Sequence, residues 1–210
     1  MEKIDRNLSP APTCLTKLKK EKPNYLVKGI AWKKKYSISM RSTDFSWGSH
    51  VKQSNSVHIV NALKIITNDH CFYCDINRVR YGIVEPEIDH FCPKTKSPIK
   101  AYYYPNLYLS CGACNGYKSD YYRKKYLLNF DNPTYNFDDF YFIDYPTDTI
   151  KVRPDIDYTA RLKARYTLFV FGINKDARPS TRREELNLYN GMVAPVLNDF
   201  SYRYYINRAV

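Results

Sequence analysis

Hydrophobic and polar residues along the chain follow two periods, and the helical period is clearest ahead of the first cysteine pair. Between residues 51 and 67, Ile59, Leu63 and Ile66 fall at positions i, i+4 and i+7. Side chains at this spacing share one face of an α-helix. The pattern therefore predicts an amphipathic helix that leads the chain to the cysteines.

Two more helices are predicted towards the C-terminal end. Apolar positions over residues 157–171 follow the helical period, and Gly172 would end this helix as a C-terminal cap. Another helix is predicted after Pro179, where Thr181 and Glu184 have the separation of a capping box.

Strand signals flank the polar residues in the middle of the chain. Residues 84–91 alternate and include β-branched side chains, which predicts a short strand. Leu107 and Leu109 alternate with polar neighbours in a second predicted strand, and a helix is predicted to begin within residues 111–118. A β-hairpin is predicted over residues 140–153, which contain a Pro-Thr-Asp turn.

These elements predict an α+β fold with three regions. Residues 1–50 show no sustained periodicity, which indicates a basic, largely irregular N-terminal arm. Residues 51–128 contain the strand-loop-strand-helix unit and both cysteine pairs. Residues 129–210 form a hairpin and helical extension that we expect to pack on that core. With 210 residues in all, the chain is long enough to bury an adequate core.

Four cysteines in two pairs point to a metal. Cys71 and Cys74, like Cys111 and Cys114, have CxxC spacing, and four thiolates supply the tetrahedral shell of a structural Zn²⁺ site. Such a site contributes directly to folding. The alternative is two redox or disulfide pairs, which is disfavoured because no secretory segment is apparent and intracellular cysteines stay reduced.

The interval between the pairs, residues 75–110, is about twice that of a simple zinc ribbon. It contains a carboxylate and an imidazole in succession, Asp89 and His90. Asp89 offers a hard oxygen ligand for Mg²⁺ or Mn²⁺, and Asn115, directly after a zinc ligand, offers a second. His90 would point to the other side of an extended strand and take a proton from water. This combination is suited to phosphodiester hydrolysis.

Three further polar residues complete the candidate site. Asn106 is expected to bridge the loop backbone and the histidine, and thereby to orient the base. Lys118, one helical turn after Asn115, would place an ammonium near the scissile phosphate. Glu87 shares the strand face of Asp89 and is a candidate neighbour of the metal.

Charge restricts the class of partner. The formal net charge of +12 favours a polyanion, because lysine and arginine side chains that neutralise phosphates release condensed counterions. A solvated, solubilising surface is the alternative for these basic clusters. Tyrosine occurs 21 times, and we expect most of these side chains to pack, although some could stack on bases. With no apolar run of membrane length, we expect a soluble cytoplasmic protein.

Several sequence blocks resemble HNH endonucleases of the ββα-metal (His-Me finger) fold: Cys71-x-x-Cys74, Glu-Ile-Asp-His-Phe-Cys-Pro-Lys at 87–94, and Asn106-Leu-Tyr-Leu-Ser-Cys-Gly-Ala-Cys-Asn-Gly-Tyr-Lys118. The resemblance covers residues 71–120 and is closest to the PtuB-type nucleases of Septu and retron-associated antiphage systems. The third position of the HNH pattern is Asn115 here, in place of histidine, a common variant in the superfamily.

The resemblance implies a zinc-stapled ββα-metal core with His90 as general base, Asp89 and Asn115 as ligands of the catalytic ion, and Asn106 as the orienting residue. It also implies DNA as substrate and an ABC-type ATPase (PtuA-like) as partner. Two alternatives stay open: a catalytically inactive zinc-stabilised adaptor that binds nucleic acid or protein, and a nuclease that cuts RNA.

Overall fold

The structure, a computed structural model, describes residues 5–15, 47, 49–50, 53–77 and 86–210. Most of the predicted N-terminal arm, with its lysine clusters, lies outside these residues. Residues 84–85 of the first predicted strand also lie outside them.

A helix, two paired strands and a short second helix carry the cysteine pairs. Strands β1 (Ser49–His50) and β2 (Gln53–Ser54) pair with each other ahead of helix α1 (Asn55–Thr67). Strands β3 (Glu87–His90) and β4 (Leu107–Ser110) follow, and then helix α2 (Gly112–Lys118). The predicted helix begins at Asn55, four residues later than expected, because Gln53 and Ser54 belong to β2.

The register of β3 and β4 places the polar residues of β3. The strands are antiparallel, with Glu87 opposite Ser110 and His90 opposite Leu107. Every residue of β4 is buried, as are Asp89 and His90. The two strands predicted around the polar interval are therefore confirmed, and they bury its Asp-His pair.

The C-terminal region contains a hairpin and three helices. Its elements are β5 (Tyr141–Asp144), β6 (Thr149–Val152), α3 (Tyr158–Val170), α4 (Arg178–Asn190) and α5 (Arg203–Ile206). Single 3₁₀ turns lie at Arg6–Leu8, Pro98–Lys100, Tyr104–Asn106, Phe137–Asp139 and Leu197–Asp199. The predicted hairpin and the helix over residues 157–171 are confirmed, and the Asp157 side chain caps α3 by accepting a hydrogen bond from the Ala160 N–H at 3.0 Å.

The start of α4 differs from the prediction. The helix begins at Arg178, because Pro179 is tolerated in a first turn, where its missing N–H would have no partner. Thr181 lies inside the helix, and its hydroxyl donates to the Ala177 carbonyl oxygen at 2.8 Å. The predicted capping box was wrong.

Two hydrophobic clusters meet at β4. Its residues alternate: Leu107 and Leu109 pack with Ile59 and Leu63 of α1, whereas Tyr108 packs into the larger cluster. That larger cluster joins the four cysteines to aromatic side chains of the C-terminal region, and the Tyr73 and Phe171 rings stack with their centroids 3.9 Å apart. The C-terminal elements thus share one core with the cysteines.

Many tyrosines pack, as predicted. The buried members are Tyr73, Tyr102, Tyr104, Tyr108, Tyr135, Tyr141, Tyr202, Tyr204 and Tyr205. Within the part of the chain that the structure describes, no helix has the length and apolar character needed to cross a membrane.

Gly172 occupies a position that a side chain would disturb. Its φ is +56°, and a Cβ built there would lie 2.5 Å from the Tyr117 ring. We expect Gly172→Ala to lower the free energy of unfolding by about 1–3 kcal/mol, because it adds left-handed strain and displaces the ring. Gly191→Ala is the matched control, since its φ is −84° and it should leave stability nearly unchanged. Equal denaturation midpoints for the two variants would contradict this.

Candidate functional site

The four cysteines of the two CxxC pairs come together in one buried cluster. Their sulfur atoms all lie within 4.8 Å of one another, and the Cys74 and Cys111 sulfurs are 3.8 Å apart. A tetrahedral ion with Zn–S bonds of about 2.3 Å separates its sulfurs by roughly 3.8 Å. The cluster therefore has the composition and size to hold a zinc ion.

Backbone hydrogen bonds explain how the two pairs meet. The first pair lies in a turn after α1, and the Phe72 N–H within it bonds to the Leu109 carbonyl of β4 at 2.9 Å. The second pair begins at Cys111, the N-cap of α2, whose sulfur accepts from the Cys114 N–H at 3.4 Å. Burial raises the pKa of the Cys114 thiol, so holding it as a thiolate requires a nearby positive charge.

Arg178 of α4 lies against this cluster. Its guanidinium is buried and donates to the Cys114 sulfur at 3.3 Å and to the carbonyl oxygens of Phe171 and Gly172 at 2.7 and 2.6 Å. Four thiolates around one Zn²⁺ carry a net charge of −2. Arg178 therefore offsets part of the charge that a zinc-loaded cluster would bury.

The other described cysteines and the neighbouring histidine lie outside the cluster. Cys14 and Cys92 are buried free thiols. The His70 ring nitrogens lie 2.5 Å from the Asn68 carbonyl oxygen and 2.8 Å from that of Phe200, so its polar atoms bond to the backbone. His70 thus has a structural role in the turn, and the ligand set of the cluster is four sulfurs.

A cleft of about 550 Å³ opens beside the cluster, between β3 and α2. It is lined by Glu87, Ile88, Asp89, His90, Pro93, Lys94, Thr95, Gly112, Asn115, Gly116, Lys118, Ser119 and Asp120. Asp89, His90, Asn115 and Lys118 from the predicted site thus meet in one cleft. Asn106 is behind it, in the loop that leads to β4.

The Asp89 carboxylate is held by two partners. One oxygen accepts from the Lys118 ammonium at 2.8 Å, and the other accepts from the Tyr73 hydroxyl. Burial raises the pKa of Asp89, although the Lys118 charge and both hydrogen bonds oppose that rise. Lys118 is itself only 1% exposed and also donates to the His90 carbonyl oxygen at 2.7 Å, so its ammonium orients protein groups.

His90 is fixed by a carbonyl and an indole ring. Its Nε2 lies 2.9 Å from the Ala101 carbonyl oxygen, and the Trp47 ring stacks on it with centroids 5.5 Å apart. A carbonyl can only accept, so Nε2 carries the proton and Nδ1 holds the ring's lone pair. Burial lowers the pKa of His90 to about 4, which keeps the imidazole neutral at pH 7.

Asn106 acts on the loop that His90 contacts. Its amide oxygen accepts from the Cys92 N–H at 2.8 Å, and its amide nitrogen donates to the carbonyl oxygens of Cys92 and Lys100 at 3.0 and 3.2 Å. The predicted contact with the loop backbone is present, but these bonds do not reach the imidazole. Asn106 therefore holds His90 indirectly, through the segment that presents the Ala101 carbonyl.

Asn115 and Glu87 form the outer edge of the cleft. The Asn115 amide nitrogen donates to a Glu87 carboxylate oxygen at 2.5 Å. This bond turns the amide so that its nitrogen, not its oxygen, meets the carboxylate. Glu87 thus has a defined partner that the strand pattern alone did not suggest.

Sequence reasoning missed several residues of this site. Tyr73 lies between two cysteines, where the CxxC pattern places no requirement on residue type, and Trp47 lies far from the motif in sequence. Lys94 lines the cleft, and burial lowers its pKa. Its place directly after Pro93 in the motif block was the one available signal.

Comparisons of the sequence with protein-family models and with curated proteins found no match.

Proposed function

We propose that this protein is a metal-dependent endonuclease that hydrolyses phosphodiester bonds of DNA. One observation carries the proposal: a single cleft, walled by β3 and α2, contains a neutral histidine, a buried aspartate and an asparagine that follows a zinc-type cysteine ligand. Two antiparallel strands followed by a helix also agree with the ββα-metal architecture that the sequence resembles. The identity of the core as an HNH fold is part of this proposal.

The oxygen donors of the cleft suit a hard divalent cation. Asp89, Asn115 and Glu87 line the same space, and Mg²⁺ and Mn²⁺ bind carboxylate and amide oxygens. A carboxylate has about four lone-pair positions, so the two hydrogen bonds to Asp89 leave acceptor capacity. Such an ion supplies charge stabilisation at the phosphoryl oxygens.

His90 is the proposed general base. Its Nε2 proton is committed to the Ala101 carbonyl, which directs the lone pair of Nδ1 to the role of proton acceptor. Stacking on Trp47 and the loop held by Asn106 keep the ring in one orientation. A base with a fixed ring is suited to removing a proton from an attacking water.

Cationic side chains in the cleft would act on the phosphate. Lys118, predicted for this role, donates to Asp89 and to the His90 carbonyl and so fixes the two groups relative to each other. Lys94 also lines the cleft and contributes positive charge there. We therefore propose Lys94 as a phosphate contact beside the structural role of Lys118.

A plasmid-nicking assay tests the proposal. Protein is dialysed free of loosely bound metal, its zinc content is measured, and supercoiled DNA is added with Mg²⁺, with Mn²⁺ or with neither. We expect nicking only with an added divalent ion and with zinc content constant. A parallel assay on RNA distinguishes the substrate class. By its resemblance the protein would act in antiphage defence, with an ABC-type ATPase that restrains or triggers cutting.

A zinc-stabilised adaptor that binds nucleic acid without cutting is the second candidate. The Asp89–Lys118 ion pair favours it, because an ammonium at 2.8 Å already neutralises the carboxylate that the cation would need. This candidate predicts binding to labelled DNA without nicking under any of the metal conditions. Nicking that depends on added metal and on His90 would exclude it.

A further inference from the structure

Three aromatic rings and one lysine lie together after the cleft-lining helix α2, and we call them the aromatic strip: the half-buried Tyr117 and the exposed Tyr121, Phe169 and Lys175. The Tyr121 and Phe169 rings meet edge to face, with centroids 6.1 Å apart. The Lys175 ammonium lies 5.7 Å from the Phe169 ring centroid and 4.5 Å from that of Tyr117. The four side chains thus form one continuous surface, although they come from three segments of the chain.

The strip is open to solvent where a ligand would meet it. Tyr121 is 55% exposed and Phe169 is 58% exposed, and Lys175 is exposed as well. Large apolar side chains that adjoin each other on a surface mark a binding site more often than isolated ones do. The two adjoining rings are therefore a candidate binding surface.

The strip begins where the wall of the cleft ends. Lys118, Ser119 and Asp120 line the cleft, and the Tyr121 N–H bonds to the Lys118 carbonyl oxygen at 2.7 Å in the turn that follows α2. Tyr117 lies one residue after Gly116, which also lines the cleft. Tyr117 and Tyr121 are thus direct chain neighbours of residues that line the cleft.

The Tyr117 ring is held in place before any ligand binds. The Tyr117 hydroxyl donates to Asp176 at 2.5 Å, and its ring lies directly against Gly172. Phe169 is carried by α3, a regular helix. Rings that are already fixed lose little conformational freedom when a flat ligand stacks on them.

We infer that the aromatic strip stacks an unpaired base of the nucleic acid whose phosphate lies in the cleft, and this rests on the proposed function. Aromatic rings that alternate with lysines stack bases and neutralise the backbone of single strands. The net charge of +12 favours a polyanion over a neutral apolar surface as the occupant. The protein would therefore prefer DNA that is single-stranded or frayed near the cleavage position.

Binding to a cleavage-deficient form isolates this inference. In a His90→Ala background, anisotropy with a fluorescein-labelled single-stranded oligonucleotide is measured for Tyr121→Ala and Phe169→Ala, alone and combined. Loss of one stacked base should weaken binding roughly 5- to 150-fold, which corresponds to about 1–3 kcal/mol. Tyr121→Phe keeps an aromatic ring at this position and should therefore retain the affinity of the His90→Ala parent. In the active protein, the double variant should raise KM with little effect on kcat.

Tyr158→Ala is the matched control. Tyr158 is 73% exposed and lies on the same helix as Phe169 but at its other end. It should leave the affinity unchanged, and melting curves should show all variants folded, since exposed side chains are being shortened. Equal affinities for the Tyr121→Ala, Phe169→Ala double variant and the Tyr158→Ala variant would overturn the inference.

Further outcomes separate this inference from the proposed function. If Tyr121→Ala weakens binding to the oligonucleotide but the wild-type protein cuts no DNA, the result would support the role of the strip and refute the proposed nuclease activity. Cutting with an affinity unaffected by the double variant would support the nuclease and refute the strip. If the double variant keeps its affinity for the oligonucleotide but no longer self-associates in sedimentation experiments, the strip would bind another protein chain, and the inference would be overturned.

Discussion

The variant His90→Ala is expected to nick supercoiled DNA about 10²- to 10⁴-fold more slowly than the wild-type protein, because a general base typically contributes a factor of this size. The imidazole is neutral at pH 7, its ring is fixed by Ala101 and Trp47, and its Nδ1 is the atom able to accept a proton. Time courses of nicking with Mg²⁺ or Mn²⁺ measure the loss.

A control must show that the loss arises from chemistry and not from unfolding. His58→Ala is suitable, because His58 is an exposed histidine on α1 that lies outside the cleft. His90→Gln is a second test, since the glutamine amide nitrogen can lie near the position of the His90 Nε2 and donate to the Ala101 carbonyl, but the amide is too weak a base to replace imidazole. Both His90 variants should keep the zinc content of the wild type. Nicking by His90→Ala at the wild-type rate would refute the assignment of the base.

The second large effect concerns the sulfur cluster. We expect Cys111→Ser to abolish cooperative folding, because it removes one of the four buried sulfurs that would hold the zinc ion. Apparent binding free energies of structural zinc sites are about 10–16 kcal/mol, comparable to or larger than the stability of a whole domain. Elemental analysis should find about one zinc per chain in the wild type and much less in the variant, and thermal melting by circular dichroism should lose its sharp transition.

The variant Cys92→Ser is the control that distinguishes the loss of a zinc ligand from the loss of any buried thiol. Cys92 is as buried as the cluster cysteines but lies outside it, so this variant should keep its zinc and most of its stability. Strong chelators should unfold the wild type and the Cys92→Ser variant alike. A Cys111→Ser protein that melts like the wild type, or a wild type that holds no zinc, would contradict the metal-dependent fold.

The sequence was sufficient to predict the elements whose signals are local. Four cysteines at CxxC spacing, alternation around Leu107 and Leu109, and helical spacing in α1 and α3 each depend on neighbours a few residues away. The cysteine cluster, both strands and the α+β class follow from these signals. The start of α4 was missed because the same polar residues fit a cap and a helix interior equally well.

Contacts between distant residues could not be predicted. Tyr73 reaches Asp89 because the first cysteine turn bonds to β4, and nothing in the CxxC spacing indicates which way the intervening ring points. Lys118 turns inward to two acceptors, although a lysine at that helical position could equally face solvent. The aromatic strip joins residues about fifty positions apart, and it exists only once the loop after α2 packs beside α3.

Arg178 has a consequence for how this molecule could be shortened. The guanidinium from α4 reaches a sulfur of the cluster and also binds the carbonyls of the bend after α3, so a region far downstream of the four cysteines completes the surroundings of their cluster. A fragment that stopped after α2 would keep all four sulfurs yet lack this cation and the Phe171 ring that covers Tyr73. We therefore expect that the cysteine-bearing segment, excised or transplanted by itself, would not fold as an autonomous module.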